Sequence, residues 1–320
     1  MRPLLTVDRT TVEAMLAPVS AGAALGAVAP VGGGLVNTLL RATMGDGQSF
    51  ALRLSPDRRH IDRAIDIETE LHLLAHLSAR VPVPRPVLVD ARGAQFGVPF
   101  VVYPWIPGVT LNDCRRAHGR DALRSLAEPL GSLLASIART GIEPALGLQR
   151  LTIASAVDEA SQRLRSERVV TRLGTPAIEG LRRLLDAVAS RLGDEDVDSV
   201  LVHGDFGGRN ILVRQTDGAT WAPSGVLDWD LAHIGSPMWD IGSLFRYWRR
   251  YDEEFRAGFA RGYIVTGGKL PDEWWRLSRV LDVTRLVTIL DEDREPPSVF
   301  DDCRELIGDL LEEPIVPGLC

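Results

Sequence analysis

Lysine is almost missing from this chain: Lys269 is the only one, and every other strongly basic side chain is arginine. That bias is compositional and assigns no role by itself. Cysteine is scarce too. Cys114, Cys303 and Cys320 are scattered, so neither a disulfide framework nor zinc-ligand spacing follows, and a reducing cytoplasm is the expected compartment. With a formal charge of −7 there is no basic surplus to meet a nucleic-acid backbone. A clean membrane span is absent as well. Residues 14–36 carry no charge and are long enough to cross a bilayer. They contain Pro18, Pro30 and five glycines, however, and their apolar members are mostly Ala and Val. Asp8 and Glu13 make a poor start for a signal peptide. The stretch therefore reads as helix, turn and strand, and no membrane partner is expected.

What is present is an ordinary globular composition, 45% apolar and 25% charged, on 320 residues, long enough for two lobes. The acids are unevenly placed: ten of them, with two arginines, lie between positions 291 and 313. The most informative segment is 201–230. An apolar strand at 199–202 leads into His203-Gly204-Asp205, and Asn210 opens a second apolar run at 211–213. Asp217-Gly218 is a turn signal, and a third run at 225–227 ends on Asp228. The carboxylates of Asp205 and Asp228 and the amide of Asn210 are thus expected at one edge of a small sheet. A carboxylate that accepts a hydroxyl proton beside an amide oxygen and a second carboxylate suits Mg²⁺-dependent phosphoryl transfer. A β-hairpin with turn-type Asp and Asn residues is the bland alternative.

This spacing, H-G-D-x-x-x-x-N followed by L-D-W, resembles the aminoglycoside phosphotransferase and choline kinase-like family. The resemblance implies an α+β, two-lobed protein-kinase-like fold: a small antiparallel sheet with one helix over residues 1–105, and a larger, mainly helical lobe over 106–320. It implies Asp205 as the base, and Asn210 and Asp228 as Mg²⁺ ligands. Asp230 either assists the metal or caps the next turn, and His203 braces the loop rather than acting as the base. Arg209 either faces the γ-phosphate or lies on the surface, and Gly207-Gly208 leaves room for the substrate. Downstream, HIGSPMWDIG is similar to the family's G-D-P-x-x-D segment, with Ser236 in place of the first Asp. There Asp240 is expected to accept hydrogen bonds from the catalytic-loop backbone.

Upstream, a short helix at 12–16 precedes strands at 24–31, 35–43 and 49–54. The Gly32-Gly33-Gly34 turn between the first two can lay backbone N–H groups over phosphates, since no Cβ blocks the approach. In the resembling family the third strand carries a Lys on the α- and β-phosphates, paired with a helix Glu. Here that position is Arg53. Glu70, on the helical stripe of 59–80 and twelve residues before Pro82, is the expected partner, and Glu68 competes. After strands at 87–90 and 98–103, Pro104-Trp105-Ile106 matches the hinge, where the Pro104 carbonyl and the Ile106 N–H would meet the nucleotide base. From position 111 the pattern turns helical, over 121–140 with a kink at Pro129, 153–169, 178–192, 255–265, 271–290 and 299–311.

The implied activity is transfer of the γ-phosphoryl of ATP or GTP to a hydroxyl of a small molecule. An aminoglycoside or other hydroxylated antibiotic leads, and a sugar or amino-alcohol metabolite follows. The acidic run at 291–313 either receives a polycationic acceptor or is a solvated face. Trp248, Trp274 and Trp275 are read as core rather than sugar platforms. Monomer and homodimer both fit. A protein kinase is disfavoured because H-G-D replaces H-R-D and no long activation segment separates Asp228 from Asp240. A nucleotide-binding pseudokinase would not need Asp205, Asn210 and Asp228 intact.

Overall fold

The computed structural model describes residues 7–32, 37–55, 64–141, 146–191, 199–216, 220–293 and 297–312. Helix α1 (Arg9–Leu16) starts where the Asp8 carboxylate accepts the Thr11 N–H at 2.8 Å. Strands β1 (Leu25–Pro30), β2 (Thr38–Met44) and β3 (Ser49–Leu54) follow, then α2 (Ile67–Leu77), β4 (Leu88–Asp90) and β5 (Phe100–Pro104). The five strands form one antiparallel sheet in the order β1-β2-β3-β5-β4.

Strand alternation decides what each face carries. Phe50, Leu52 and Leu54 share a buried cluster with Val12, Met15 and Leu16 of α1. Arg53 must then point to the opposite face, where Val101 and Tyr103 join Leu73, Leu74 and Leu77 of α2. The sheet therefore carries a helix on each face: α2 on one, and on the other α1, the short helix expected at 12–16.

The rest of the chain is mainly helical, as expected. In order it comprises β6 (Val109–Thr110), α3 (Leu111–Ala138), α4 (Ile153–Arg163), α5 (Glu167–Leu173) and α6 (Thr175–Arg191). Next come β7 (Val200–Val202), β8 (Ile211–Thr216), β9 (Thr220–Val226), β10 (His233–Gly235) and α7 (Met238–Leu244). A 3-10 turn at Trp248–Arg250 leads to α8 (Glu253–Val265), α9 (Trp274–Asp291) and α10 (Pro297–Glu312). Among the described residues no helix is long and apolar enough to cross a membrane.

Two helix boundaries differ from the sequence pattern. The break in α3 falls at Gly119 (φ 72°, ψ −155°) and not at Pro129, because glycine adopts that backbone without a Cβ penalty. The single helix expected over 153–169 is two. Arg165 and Ser166 donate back to Gln162 and Arg163, closing α4 with a tight turn before α5 begins.

Helices α3 and α8 touch backbone to backbone. A Cβ on Gly262 would collide with the Glu128 carbonyl, and one on Gly131 with the Phe259 carbonyl. Ser132 Oγ donates to the Gly262 carbonyl at 3.2 Å across the same crossing. Gly262→Ala is therefore expected to cost about 3 kcal/mol, read as a lower urea midpoint, because the two helices must separate. Gly308→Ala in α10, where a Cβ meets open space, is expected to gain up to about 0.8 kcal/mol from helix propensity.

Candidate active site

The site forms where two small sheets end together. β7 pairs antiparallel with β10 and delivers His203, Gly204 and Asp205 at its C-terminal end. In the β8–β9 hairpin Ile211 lies opposite Val226, so the residues just outside that pair, Asn210 and Leu227, are neighbours. The Leu227 N–H donates to the Asn210 carbonyl at 2.8 Å, and the next residue, Asp228, is carried to the same edge. Asp228 holds a left-handed backbone, φ 66°, which a short polar side chain tolerates better than a branched one. The three sequence-predicted residues are thus brought together by strand register. The turn at Asp217-Gly218 lies outside the described residues.

The Asp205 carboxylate is buried and unevenly engaged. Its Oδ2 accepts from Arg209 Nη2 at 2.7 Å and from Asn210 Nδ2 at 3.0 Å. Its Oδ1 lies 4.0 Å from Arg246 Nη1. Burial alone would push this carboxyl up, but the guanidinium groups of Arg209 and Arg246 overcome that and hold it below the usual carboxylate range. Asn210 also donates to the Asp205 main-chain carbonyl at 2.9 Å. With its amide N–H groups so used, its oxygen is the group available to a cation. Asp228 is raised, first by burial and then by the carboxylates of Asp205 and Glu70, against the pull of Arg53 and Arg209. A carboxylate crowded by others is a place where a divalent cation is favourable, and Asn210 with Asp228 is a hard oxygen pair that fits Mg²⁺.

His203 is fully buried and both ring nitrogens are engaged. Nε2 donates to the Leu227 carbonyl at 2.9 Å, and Nδ1 accepts the Asp205 N–H at 3.2 Å. The ring braces the loop against the hairpin and has no nitrogen left to act as a base. Asp240 anchors the same loop from α7: its two oxygens accept the His203 N–H at 2.7 Å and the Gly204 N–H at 2.9 Å. Ser236 Oγ accepts the Met238 N–H at 3.3 Å in the first turn of α7. The room left by Gly208 goes to α3 and not to a substrate, because a Cβ there would meet the Asn112 side chain.

On the five-stranded sheet, Arg53 Nη1 and Nη2 donate to the two Glu70 oxygens at 2.7 and 2.6 Å. Glu68 is exposed and lies 3.8 Å from Arg92, which leaves Glu70 as the partner. Asp230, 3.8 Å from Arg53 Nη1 and an acceptor for Asn37 Nδ2 at 3.4 Å, joins this group. Among the described residues, Arg53 Nε is buried without a hydrogen-bond partner. At the hinge, Trp105 donates to the Ser49 carbonyl at 2.9 Å. Antiparallel alternation then turns the Pro104 carbonyl away from β3. The Ile106 side chain lies close over Gly225. Gly32 sits in a turn after β1, and Gly33 and Gly34 lie outside the described residues.

Sequence reasoning missed Arg246 and Asp282. Arg246, just past α7, makes a bidentate pair with Asp282 of α9 at 2.9 and 2.7 Å. The available signal was an Asp inside the apolar run Val280-Leu281-Asp282-Val283, a carboxylate that burial obliges to be paired. Four acids of the acidic stretch have partners elsewhere in the chain: Asp291 with Arg163 and Ser166, Asp293 with Arg168, Asp302 with Tyr247, and Asp309 with Arg249. Trp274 and Trp275 pack with Phe245 in an aromatic cluster, whereas Trp248 lies between Arg249 and Arg279.

Burial pushes Asp240 up to about 6, against the pull of His203 and the two N–H groups. A carboxyl raised in the folded state binds its proton more tightly there than in the unfolded chain. Stability from this group is therefore lost as pH climbs from about 4 to about 6 and changes no further above that. Urea titrations should show the stability difference between wild type and Asp240→Asn shrinking across that window and flat from pH 7 to 8.

Residues 27–275 match the model of the family described as "Phosphotransferase enzyme family". Over 207 residues the chain is 28% identical to acyl-CoA dehydrogenase family member 11 of Gallus gallus, covering 63% of this chain and 26% of that protein. It thus spans about a quarter of the length of that relative. It is 27% identical over 175 residues to viomycin phosphotransferase of Streptomyces vinaceus, covering 54% of this chain and 59% of that one. The GDP complex of wild-type aminoglycoside 2'-phosphotransferase-IIIa superposes with a TM-score of 0.74 over 95% of this chain and 99% of that one, at 19% identity. With the kinase-like fold shared across nearly its whole length and the family matched over most of it, this chain belongs to the phosphotransferase enzyme family.

Proposed function

We propose that the protein transfers the γ-phosphoryl group of Mg-bound ATP or GTP to a hydroxyl of a small molecule. The observation that carries this reading is the state of Asp205: a buried carboxylate kept ionised by two arginines, with Oδ2 pinned and Oδ1 open. Asp205 orients the acceptor hydroxyl and takes its proton late, because positioning and charge stabilisation dominate this chemistry. The acceptor oxygen bonds to Pγ, the bond from Pγ to the bridging oxygen breaks, and the nucleoside diphosphate leaves with that electron pair. Asn210 and Asp228 would hold Mg²⁺, which would neutralise charge on the nucleotide phosphates.

Arg53, fixed by Glu70 and with Nε unused, serves the α- and β-phosphates. Backbone N–H groups of the Gly32-Gly33-Gly34 run are assigned to the same phosphates. Arg209 keeps Nη2 on Asp205 Oδ2 and, with its side chain 58% exposed, extends its remaining N–H groups to the γ-phosphate when nucleotide enters. The Pro104 carbonyl and the Ile106 N–H take the base edge, dividing lobes at 1–105 and 106–320. The buried free thiol of Cys114 fits a reducing cytoplasm.

For the acceptor, the similarity to viomycin phosphotransferase supports a hydroxylated antibiotic, an aminoglycoside included. Steering of a polycation by the acidic stretch has less support, since Asp291, Asp293 and Asp309 already pair with arginines of this chain. ADP and GDP release, measured with Mg²⁺ across aminoglycosides, macrolides, peptide antibiotics, sugars and amino alcohols, tests the reading. Turnover on one acceptor class is expected, with Asp205→Ala at least about 10³-fold slower. Nucleotide turnover that survives Asp205→Ala would refute Asp205 as the base.

A further inference from the structure

We propose that Arg246 is a second group on the acceptor oxygen, its Nη1 donating to the hydroxyl whose proton Asp205 accepts. This rests on the phosphotransferase reading above and adds a residue that the H-G-D and L-D-W motifs do not contain.

The geometry begins with Asp205. Arg209 and Asn210 occupy Oδ2, so Oδ1 is the oxygen open to an incoming hydroxyl. Arg246 Nη1 stands 4.0 Å from that atom. The separation is too long for a direct hydrogen bond and suits one intervening oxygen. Two bonds of about 2.8 Å meeting near a right angle span it, one donated to Oδ1 and one accepted from Nη1. An acceptor hydroxyl has the donor and the lone pair needed for both.

Arg246 is held as a donor that must reach a defined point should be held. Its Nε and Nη2 are spent on Asp282, at 2.9 and 2.7 Å, which leaves Nη1 as the arm towards Asp205. Both side chains of that pair are mostly buried, at 14% and 6% exposure, so the fork has little freedom to swing. The same segment of chain fixes both groups. Asp240 of α7 anchors the loop that carries Asp205, and Arg246 follows two residues after that helix ends.

Chemically, the guanidinium keeps its charge and cannot take a proton. Beside an oxygen gaining negative charge as it bonds to Pγ, it acts as a preorganised donor. The transfer remains balanced as written above, with the proton on Asp205, the diphosphate leaving and Arg246 unchanged. Water in the same position gives slow hydrolysis to nucleoside diphosphate and phosphate, so the role is measurable with MgATP or MgGTP and no identified acceptor.

The test compares wild type, Arg246→Lys, the double variant Arg246→Met with Asp282→Asn, and Asp205→Asn. The double variant leaves no buried charge from the pair, and its folding is checked by circular dichroism. Phosphate release and nucleotide affinity are measured separately. The expected result is a fall of about 100-fold in kcat for the double variant, nucleotide Kd unchanged within about two-fold, and Arg246→Lys in between. Millimolar guanidinium should restore the folded double variant several-fold and leave Asp205→Asn unaffected. A double variant within about two-fold of wild-type kcat would overturn the proposal. So would a loss that guanidinium does not restore, or one that travels with weakened nucleotide binding, since either marks a purely structural pair. If wild type releases no phosphate from ATP or GTP, to water or to any alcohol, the phosphotransferase reading fails and this inference falls with it.

Discussion

An ionised carboxylate in a place that disfavours ionisation is the constraint around which this molecule is built. Asp205 is desolvated, which favours the protonated form, and the positive charge of Arg209 and Arg246 reverses that preference. Each arginine creates a further demand. Arg246 has a mostly buried side chain and needs Asp282, which obliges an apolar helix face to carry a carboxylate. The loop must also hold its backbone still, and Asp240 does this from α7 by accepting two consecutive N–H groups. Burial then leaves Asp240 raised to about 6, a cost borne by the fold for the rigidity of the loop.

A second charge group links the sheet to this centre. Arg53 needs Glu70 to be tolerated in the interior, and Asp230, two residues past Asp228, approaches the same guanidinium. The link is reinforced by backbone bonds between the two parts of the chain. Ile65 donates to the Asp230 carbonyl at 2.9 Å, and Val226 to the Pro82 carbonyl at 2.8 Å. The segment that ends in Asp228 and Asp230 is therefore tied to both flanks of α2, the helix that packs on the sheet carrying Arg53. Arginine is well suited to both groups, since its planar fork can satisfy one carboxylate with two donors and still present a third nitrogen elsewhere.

Much of this was legible in the sequence because it depends on short-range rules. Strand alternation puts Arg53 opposite Leu52 and Leu54, and hairpin register makes Asn210 and Asp228 neighbours whatever surrounds them. Helix positions followed from apolar periodicity, with errors where glycine chemistry outweighed proline, as at Gly119, or where a tight turn split a continuous stripe, as at Arg165. The pairing of Arg246 with Asp282 was not legible, since 36 residues separate them and only the packing of α7 on α9 brings them together. Nor could composition reveal that Asp291, Asp293 and Asp309 of the acidic stretch meet arginines on other elements. An acidic run and its partners look independent until the chain is folded.

The most direct test is the linkage between nucleotide and metal. Calorimetric titration of ATP and GTP, with and without Mg²⁺, on wild type and Asp228→Asn reads it without knowledge of the acceptor. If Asn210 and Asp228 hold a cation on the phosphates, Mg²⁺ should tighten wild-type binding by about tenfold or more, with most of that gain gone in the variant. Equal affinity with and without Mg²⁺, or no binding of either nucleotide, would contradict the assignment of this edge as a phosphoryl-transfer centre.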